Sequence, residues 1–256
     1  MLAQGRVCLN GKPCRIASQQ VRSGDLIEIG KRKIPQELPK GLEIICEDRD
    51  ILIAHKPAGL LTVATVHERE RTAYTYLHRH LKGRSHERKL FIVHRLDKFA
   101  SGLLVFAKSE KVKAELQGLF AKHEIQRKYW AIVEGRVERN RGTIQSYLAQ
   151  DSSLRVHSTN DRRAGKHAIT HYRVLRRFPN ITVLEVTLET GRKNQIRAHF
   201  SELGHPIVGD RAYGSKQNPL GRLGLHAFHL GFAHPTRGIP VAFQTEPPRE
   251  FLRYLS

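Results

Sequence analysis

The sequence is poor in cysteine and has no long apolar segment, and these shortages exclude several classes of protein. Only three cysteines occur among 256 residues, Cys8, Cys14 and Cys46. So sparse and odd a set argues against a disulfide framework and favours a reducing compartment. No apolar run approaches the ~20 residues that cross a bilayer, and residues 1–11 lack the apolar core of a secretion signal. We therefore expect a cytoplasmic protein that makes no contact with membranes.

Acidic residues are also scarce relative to basic ones. The chain has 44 Lys and Arg against 24 Asp and Glu, a formal net charge of +20. The excess is spread along the chain rather than confined to a basic tail, which favours a folded domain that binds a polyanion, most often nucleic acid. A merely solvated cationic surface is the weaker alternative. An acidic membrane surface is a third, but no basic amphipathic helix with an aromatic face supports it.

The length allows one large domain with a small appendage. Residues 1–33 read as a small β-rich unit, because Asn10-Gly11 lies between extended runs and both positions tolerate the positive φ of a hairpin turn. Residues 34–40, with Pro35 and Pro39, are the expected linker. The main domain is expected to span residues 41–256.

The main domain has many strand patterns, few helical ones and no regular β-α alternation. This predicts an α+β fold with a mainly antiparallel sheet. Helices are predicted over 72–81 and from Ser109 to about 123, and residues 139–166 read as turn-rich and polar. Strands are predicted at 42–45, 51–54, 91–93, 103–107, 128–133, 168–175, 181–188, 225–232 and 241–243, and a terminal turn at 251–255.

The stretch from Phe91 to Ser109 places a charged loop between two apolar runs. Charge beside a core is unfavourable unless it is paired, so Asp97 needs an explanation. A carboxylate held beside arginines at a strand end is a catalytic candidate. A turn aspartate bridged to Arg95 is the simpler interpretation of this stretch alone.

Three other places could carry chemistry. Tyr129 lies at the start of a strand, where a core aromatic is the simplest interpretation. Arg197 falls in the first turn of a short helix if Asn194 is its cap, where positive charge opposes the helix dipole and indicates a carboxylate partner. His226, His229 and His234 lie on and after an apolar strand without the close spacing of a zinc site.

Several separated motifs, taken together, resemble the RluA-type RNA pseudouridine synthases from about Leu42 to the end. They are, in order, Lys56-Pro57-Ala58-Gly59; His94-Arg95-Leu96-Asp97 with Ser101 to Leu104; Lys128-Tyr129 with Val133 to Gly135; Gly191-Arg192 with Gln195 to His199; and Leu225 to Ala227 with His234-Pro235. The N-terminal unit resembles the second half of an S4-like RNA-binding module, in Arg6-Val7, Leu9 to Gly11 and Gly24-Asp25, and lacks its helical first half.

The resemblance implies an isomerase that converts uridine in tRNA or rRNA to pseudouridine without a cofactor or metal. It also implies that the enzyme does not act on DNA and works as a monomer. It implies that Asp97 is the catalytic aspartate, as nucleophile at the sugar or as base, that Arg197 pairs with it and that Tyr129 stacks on the base. Arg95 would fill the gap left by the flipped nucleotide, and Ile196 would wall the uracil pocket. Lys56, Arg192 and Gln195 are further candidates for binding RNA.

The chain departs from the family pattern at Ala100, where a hydroxyl residue is usual, and at Asn194, where histidine is common. Two alternatives of other classes remain at this point. One is a non-catalytic RNA-binding or chaperone protein on the same fold. The other is a metal-dependent nuclease, for which the motifs offer no carboxylate cluster.

Overall fold

Two β-sheets organise the chain in the computed structural model, which describes residues 7–14, 16–29, 37–84 and 89–255. The small sheet has the order β2-β1-β3, formed by β1 (Val7–Leu9), β2 (Lys12–Cys14) and β3 (Ile27–Ile29). Asn10 and Gly11 have φ of 51° and 74° in the turn between β1 and β2, which confirms the predicted hairpin. Of the expected linker, residues 34–36 lie outside the described residues.

The large sheet has eleven strands and forms the body of residues 43–244. Its main path runs β10-β9-β11-β12-β8-β13-β7-β5-β4, with β14 paired to β13 and β6 paired to β7. The strands are β4 (Glu43–Glu47), β5 (Ile51–Lys56), β6 (Phe91–Ile92), β7 (Ser101–Ala107), β8 (Gln126–Glu134), β9 (Arg141–Gln150), β10 (Val156–Thr159), β11 (Lys166–Arg177), β12 (Ile181–Leu188), β13 (Leu225–Ala233) and β14 (Pro240–Gln244). All these pairings are antiparallel except that of β13 with β7.

The described part of the chain contains four α-helices beside the sheet, α1 (Ala73–Arg84), α2 (Glu110–Ala121), α3 (Gln195–Glu202) and α4 (Arg249–Leu255). Ser109 caps α2 as predicted, because its hydroxyl accepts a hydrogen bond of 3.2 Å from the backbone amide of Val112. The predicted terminal turn is instead the helix α4. The mixed architecture with a mainly antiparallel sheet confirms the predicted α+β class.

The sheet buries apolar side chains on both faces. One core cluster joins side chains of β5, β7, β8 and β12 to α1 and α3, with Leu77, Leu104 and Phe200 fully buried. A second cluster joins the other face of β5 and β7 to α2, through Val105 and Leu116. Because successive strand residues point to opposite faces, β7 contributes to both clusters and all seven of its residues are buried.

The prediction that residues 139–166 are turn-rich was wrong, since this segment contains β9 and β10. The apolar pattern of β9 is weak. On the side that faces the core, Ile144 and Leu148 are separated by the polar residue Ser146. The opposite face of β9 is mostly polar. Such a strand has little periodic signal in the sequence and is held by its pairing with β10 and β11.

The parallel contact between β7 and β13 requires a glycine. Gly102 pairs with Ala227 and has a φ of 118°, a backbone conformation that side chains disfavour. A Cβ added at Gly102 would lie 2.1 Å from the carbonyl oxygen of Ala227. The backbones of the two strands therefore approach more closely here than any other residue type allows.

We expect Gly102→Ala to lower the free energy of unfolding by roughly 3 kcal/mol, because it combines backbone strain with overpacking. Urea denaturation followed by circular dichroism measures this change. Gly118→Ala is the matched control, since nothing lies within 4 Å of a Cβ at that position in α2. The control should be neutral or stabilising by about 0.5 kcal/mol, and similar losses in both variants would contradict the steric explanation.

Candidate active site

A cleft of about 530 Å³ brings together residues that are far apart in the sequence. It is lined by the loop before β7, the end of α2, the first half of β8, and the segment from the end of β12 into α3. Seven of the eight predicted site residues line it, namely Arg95, Asp97, Tyr129, Arg192, Gln195, Ile196 and Arg197. The eighth, Lys56, does not.

The loop that carries Asp97 is fixed by hydrogen bonds from neighbouring segments. Thr62 is bonded twice to Leu96, since its hydroxyl donates to the Leu96 carbonyl at 2.8 Å and accepts from the Leu96 amide at 3.1 Å. His94 accepts from the Val105 amide at 3.1 Å through Nε2. Burial lowers the pKa of His94 to about 3, so the ring is neutral and can keep this acceptor role. The Asp97 backbone is therefore held in place before any substrate arrives.

Lys56 anchors the same loop from behind and is not available to RNA. Its side chain is fully buried, and Nζ donates to the carbonyl oxygens of Pro57, Leu60, Lys98 and Ala100 at 2.9, 2.8, 3.2 and 2.6 Å. Burial lowers the pKa of the amine to about 7, while four carbonyl dipoles favour its charged form. The prediction that Lys56 binds RNA is therefore wrong, because its three donor hydrogens are already used.

Arg197 links Asp97 to a second carboxylate that was not predicted. Nη1 lies 3.5 Å from Oδ2 of Asp97. The stronger contact is with Asp210, to which Nε and Nη2 donate hydrogen bonds of 2.6 and 2.8 Å. This two-pronged contact fixes the plane of the guanidinium. The expected pairing with Asp97 is confirmed in position, and Asp210 holds the arginine in the orientation that makes it possible.

Burial and neighbouring charge determine the protonation of the two groups that face the cleft. Burial raises the pKa of the Asp97 carboxyl, and the guanidinium groups of Arg197 and Arg95 oppose this shift. Burial also raises the pKa of the Tyr129 phenol, while the guanidinium of Arg127 acts in the opposite direction. Desolvation thus makes both groups better proton acceptors once they are ionised.

The start of α3 lies where the sequence predicts it, with Asn194 at the N-cap position and Arg197 in the first turn. Asn194 precedes the helix with a φ of 51°, and its side chain makes no cap hydrogen bond. Its carbonyl oxygen Oδ1 instead accepts from Nη1 of Arg197 at 3.0 Å. Asn194 is therefore the N-cap residue by position, as predicted, but its side chain bonds to the arginine side chain rather than to the helix backbone.

Gln195 is not free to bind a substrate, although it lines the cleft. Its amide oxygen accepts hydrogen bonds from Thr190 Oγ1 and the Arg192 amide at 2.8 and 3.0 Å. Its amide nitrogen donates to Ile169 O and to Thr170 Oγ1, both at 2.9 Å. These four bonds tie α3 to β11 and correct the prediction that Gln195 contacts RNA.

The remaining predicted residues occupy two different environments. Arg95 and Arg192 are exposed where the cleft opens, and Arg192 Nε donates to His167 O at 2.9 Å. Ile196 is 5% exposed and contributes an apolar wall. The cleft thus combines a cationic mouth with a partly apolar interior that holds a carboxylate and a phenol.

The three histidines considered for zinc lie apart from the cleft lining. His226 contacts Ser101 Oγ and Thr245 Oγ1 at 2.7 and 2.9 Å. His234 Nε2 lies 2.9 Å from Asp48 Oδ2. His234, Asp48 and Asp50 form the one group of three possible metal ligands in the described ranges. Arg237 and Thr236 bond to these carboxylates at 3.2 and 2.7 Å. The group joins two turns through hydrogen bonds.

Two residues essential to this geometry carried little signal in the sequence. Asp210 follows Val208-Gly209 with no charged pattern around it, and its partner Arg197 is thirteen positions earlier. Thr62 is one hydroxyl in an ordinary loop and bonds to Leu96 across 34 positions. Only the expectation of a carboxylate near Arg197 could have prompted a search for Asp210.

We expect Asp210→Asn to lower the free energy of unfolding by about 3 kcal/mol, because it leaves part of the Arg197 charge uncompensated in a mostly buried site. Thermal and urea denaturation measure the loss. Glu138→Gln is the control, since its ion pair with Arg136 is largely exposed and should contribute less than about 1 kcal/mol. A loss for Asp210→Asn no larger than that of the control would contradict the anchoring role.

Known proteins match both parts of the chain. A family model described as RNA pseudouridylate synthase matches residues 50–202, and one described as S4 domain matches residues 1–27. A protein of Zymomonas mobilis named ribosomal large subunit pseudouridine synthase D is 38% identical, over 84% of this chain and 72% of its own. An uncharacterized RNA pseudouridine synthase of Aquifex aeolicus is 34% identical, over 98% of this chain and 85% of its own.

The fold agrees with these matches. The solved structure of human RNA pseudouridylate synthase domain containing 1 has a TM-score of 0.68 and 25% identity, and the alignment covers 86% of this chain and 89% of the human chain. The S4 match includes β1 and β2 of the small N-terminal sheet and ends at the first residue of β3, and the synthase match includes Asp97, Tyr129 and Arg197. The chain therefore belongs to the RNA pseudouridine synthase family, a family of isomerases that act on RNA.

Proposed function

We propose that this chain converts uridine in ribosomal RNA to pseudouridine with Asp97 as its catalytic carboxylate. The observation that carries the proposal is the position of Asp97, which is held in the cleft wall 3.5 Å from Arg197. Tyr129 lines the same cleft. A carboxylate, an orienting cation and an aromatic side chain thus surround a space large enough for a nucleoside.

Asp97 begins the reaction, and its environment suits either of two roles. As a nucleophile it attacks the ribose carbon that carries the base, and as a base it removes a proton from the sugar. Partial desolvation makes the carboxylate more reactive in both cases, and Arg197 keeps it ionised and oriented. The detached uracil then turns over and is rejoined through carbon-5.

The other side chains position the nucleotide. Tyr129 stacks on the uracil and accepts or relays the carbon-5 proton, and Ile196 forms the opposite apolar wall. Extruding a base from structured RNA costs a few kcal/mol. Arg95 at the mouth offsets part of that cost by filling the vacated position, and phosphate contacts made by exposed residues such as Arg192 and Lys193 offset more.

Large ribosomal RNA is the substrate favoured here, because the Zymomonas relative is named for the large ribosomal subunit. Transfer RNA is the second RNA to test. We place the reaction in the cytoplasm and expect no activity on DNA. None of the described helices is long and apolar enough to span a membrane. Asp97, Tyr129 and Arg197 come from one chain, so a monomer supplies the whole site.

Asp97→Asn tests the proposal directly. We expect release of tritium from carbon-5-labelled ribosomal RNA to fall on the order of 10⁴-fold, while the dissociation constant for RNA changes less than about threefold. The exposed Asp161→Asn is the matched control and should release tritium at the normal rate. A wild-type protein that binds RNA but releases no tritium from ribosomal or transfer RNA would favour the non-catalytic RNA-binding alternative.

Arg95→Gln should move the acid limb of the kcat/KM profile to higher pH. Only the ionised carboxylate of Asp97 is active, and Arg95 is one of the cations that lower its pKa. Without that cation the pKa rises, so activity is lost at a higher pH as the solution is acidified.

Arg192→Gln is the control for this pH profile, because Arg192 is not among the main charges acting on Asp97. It should weaken RNA binding without moving the acid limb. An acid limb that stays in place in Arg95→Gln, or moves equally in both variants, would contradict the assignment of the limb to Asp97.

A further inference from the structure

The cleft also contains a buried arginine, Arg127, that forms no ion pair with a carboxylate among the described residues. Arg127 lines the cleft and is only 7% exposed. Its Nη2 donates to the carbonyl oxygens of Glu189 and Leu188 at 3.0 and 3.5 Å. Its Nε is buried and has no hydrogen-bond partner. Among the described residues, no ion pair includes Arg127, whereas Arg197 contacts two carboxylates.

The surroundings of Arg127 hold the guanidinium in one place. Its centre lies 5.1 Å from the ring centroid of Phe120 at the end of α2. On the other side, a Cβ on Gly191 would lie 2.4 Å from Arg127 Nη1. The absence of a side chain at Gly191 thus leaves room for the Arg127 guanidinium, which gives the glycine of the Gly191-Arg192 motif a packing role.

A buried guanidinium without an anion is energetically unfavourable. Arginine stays charged in proteins, and carbonyl dipoles replace only part of the lost hydration. Burial lowers the pKa of Arg127, and the nearby Tyr129 phenol opposes that shift. No carboxylate in the described part of the chain forms an ion pair with Arg127. A bound substrate is therefore the group that can supply the negative charge.

The position of Arg127 on its strand points to the base rather than to the RNA backbone. Arg127 and Tyr129 are alternate residues of β8 and share its buried face, so their Cα atoms are roughly 7 Å apart. The proposed role of Tyr129 is to stack on uracil, which places Arg127 beside the same ring. Phosphates carry their charge permanently and meet exposed arginines such as Arg95 at the cleft mouth.

We propose that Arg127 is a further catalytic residue that stabilises the negative charge on uracil while it is detached from ribose. This inference rests on the proposed function. When the bond between ribose and N1 breaks, its electron pair stays on uracil and spreads over the ring and its carbonyl oxygens. The uracil becomes neutral when carbon-5 forms its bond to ribose, and loss of the carbon-5 proton together with protonation of N1 then completes pseudouridine. A fixed donor facing this transient anion lowers the barrier without strengthening ground-state binding.

Arg127→Met tests this role by a comparison of two substrates. For uridine-containing RNA, we expect kcat from tritium release to fall about 100-fold, with KM changed less than about threefold. For 5-fluorouridine-containing RNA, fluorine itself stabilises the uracil anion, so the variant should lose only about tenfold. That substrate is followed in single-turnover reactions by nuclease digestion and mass spectrometry. Arg127→Lys, which keeps a positive charge, should recover about tenfold of the uridine activity.

Arg177→Met is the matched control, since Arg177 also donates to backbone carbonyls, at Val137 and Glu138, and lies outside the cleft lining. It should leave both substrates unaffected. Circular dichroism tests whether each variant folds. If Arg127→Met does not fold, Arg127→Lys must still lose more activity on uridine-containing RNA than on 5-fluorouridine-containing RNA, by a smaller factor.

Two results would overturn the role of Arg127 alone. Equal losses on both substrates would mean that it only shapes the cleft. A raised KM with unchanged kcat and a weaker salt dependence would mean that it contacts a phosphate. A wild-type enzyme inactive on both ribosomal and transfer RNA would instead overturn the proposed function, and this inference with it.

Discussion

The geometry of the cleft depends on the contact between Arg197 and Asp210. Two hydrogen bonds of 2.6 and 2.8 Å fix the guanidinium plane, and only then can Nη1 approach Asp97. Because Asp210 is 3% exposed and Asp97 faces the cleft, the two carboxylates share one cation but have different tasks. The inner one holds the arginine, and the outer one faces the cleft.

The opposite side of the same arrangement is held by Lys56. Its buried ammonium group donates hydrogen bonds to four carbonyl oxygens of two loops and so fixes the segment that carries Asp97. Thr62 adds two further bonds to Leu96. The carboxylate is therefore positioned by a support made mainly of backbone contacts, which is the kind of preorganisation that an active site requires.

Local signals in the sequence predicted the local structure well. Asn10-Gly11 formed its hairpin and Ser109 capped α2, because a turn and a cap depend on residues within three or four positions. The strand β9 was missed because its polar residues hide the alternation and its stability comes from pairing partners further along the chain. The α+β class followed from the overall pattern despite this error.

The site was predictable where a residue type conflicted with its surroundings. Arg197 at a helix start indicated a carboxylate partner, and the structure places Asp97 beside it. Lys56 and Gln195 were misassigned because their motifs do not reveal that both side chains are buried and fully bonded. Asp210 was missed because its contact with Arg197 arises only from the tertiary fold. Arg127 was missed because the sequence does not show that its side chain is buried.

The order of strands has a consequence for how this protein is made. β13 lies between β7 and β8 in the sheet, so the half that carries Asp97 and the half that carries Tyr129 are joined by a strand at residues 225–233. During translation, β7 and β8 cannot be joined in one sheet until residues 225–233 have left the ribosome. Such long-range pairing slows folding, and a prematurely terminated chain would lack the strand that joins the segments carrying Asp97 and Tyr129.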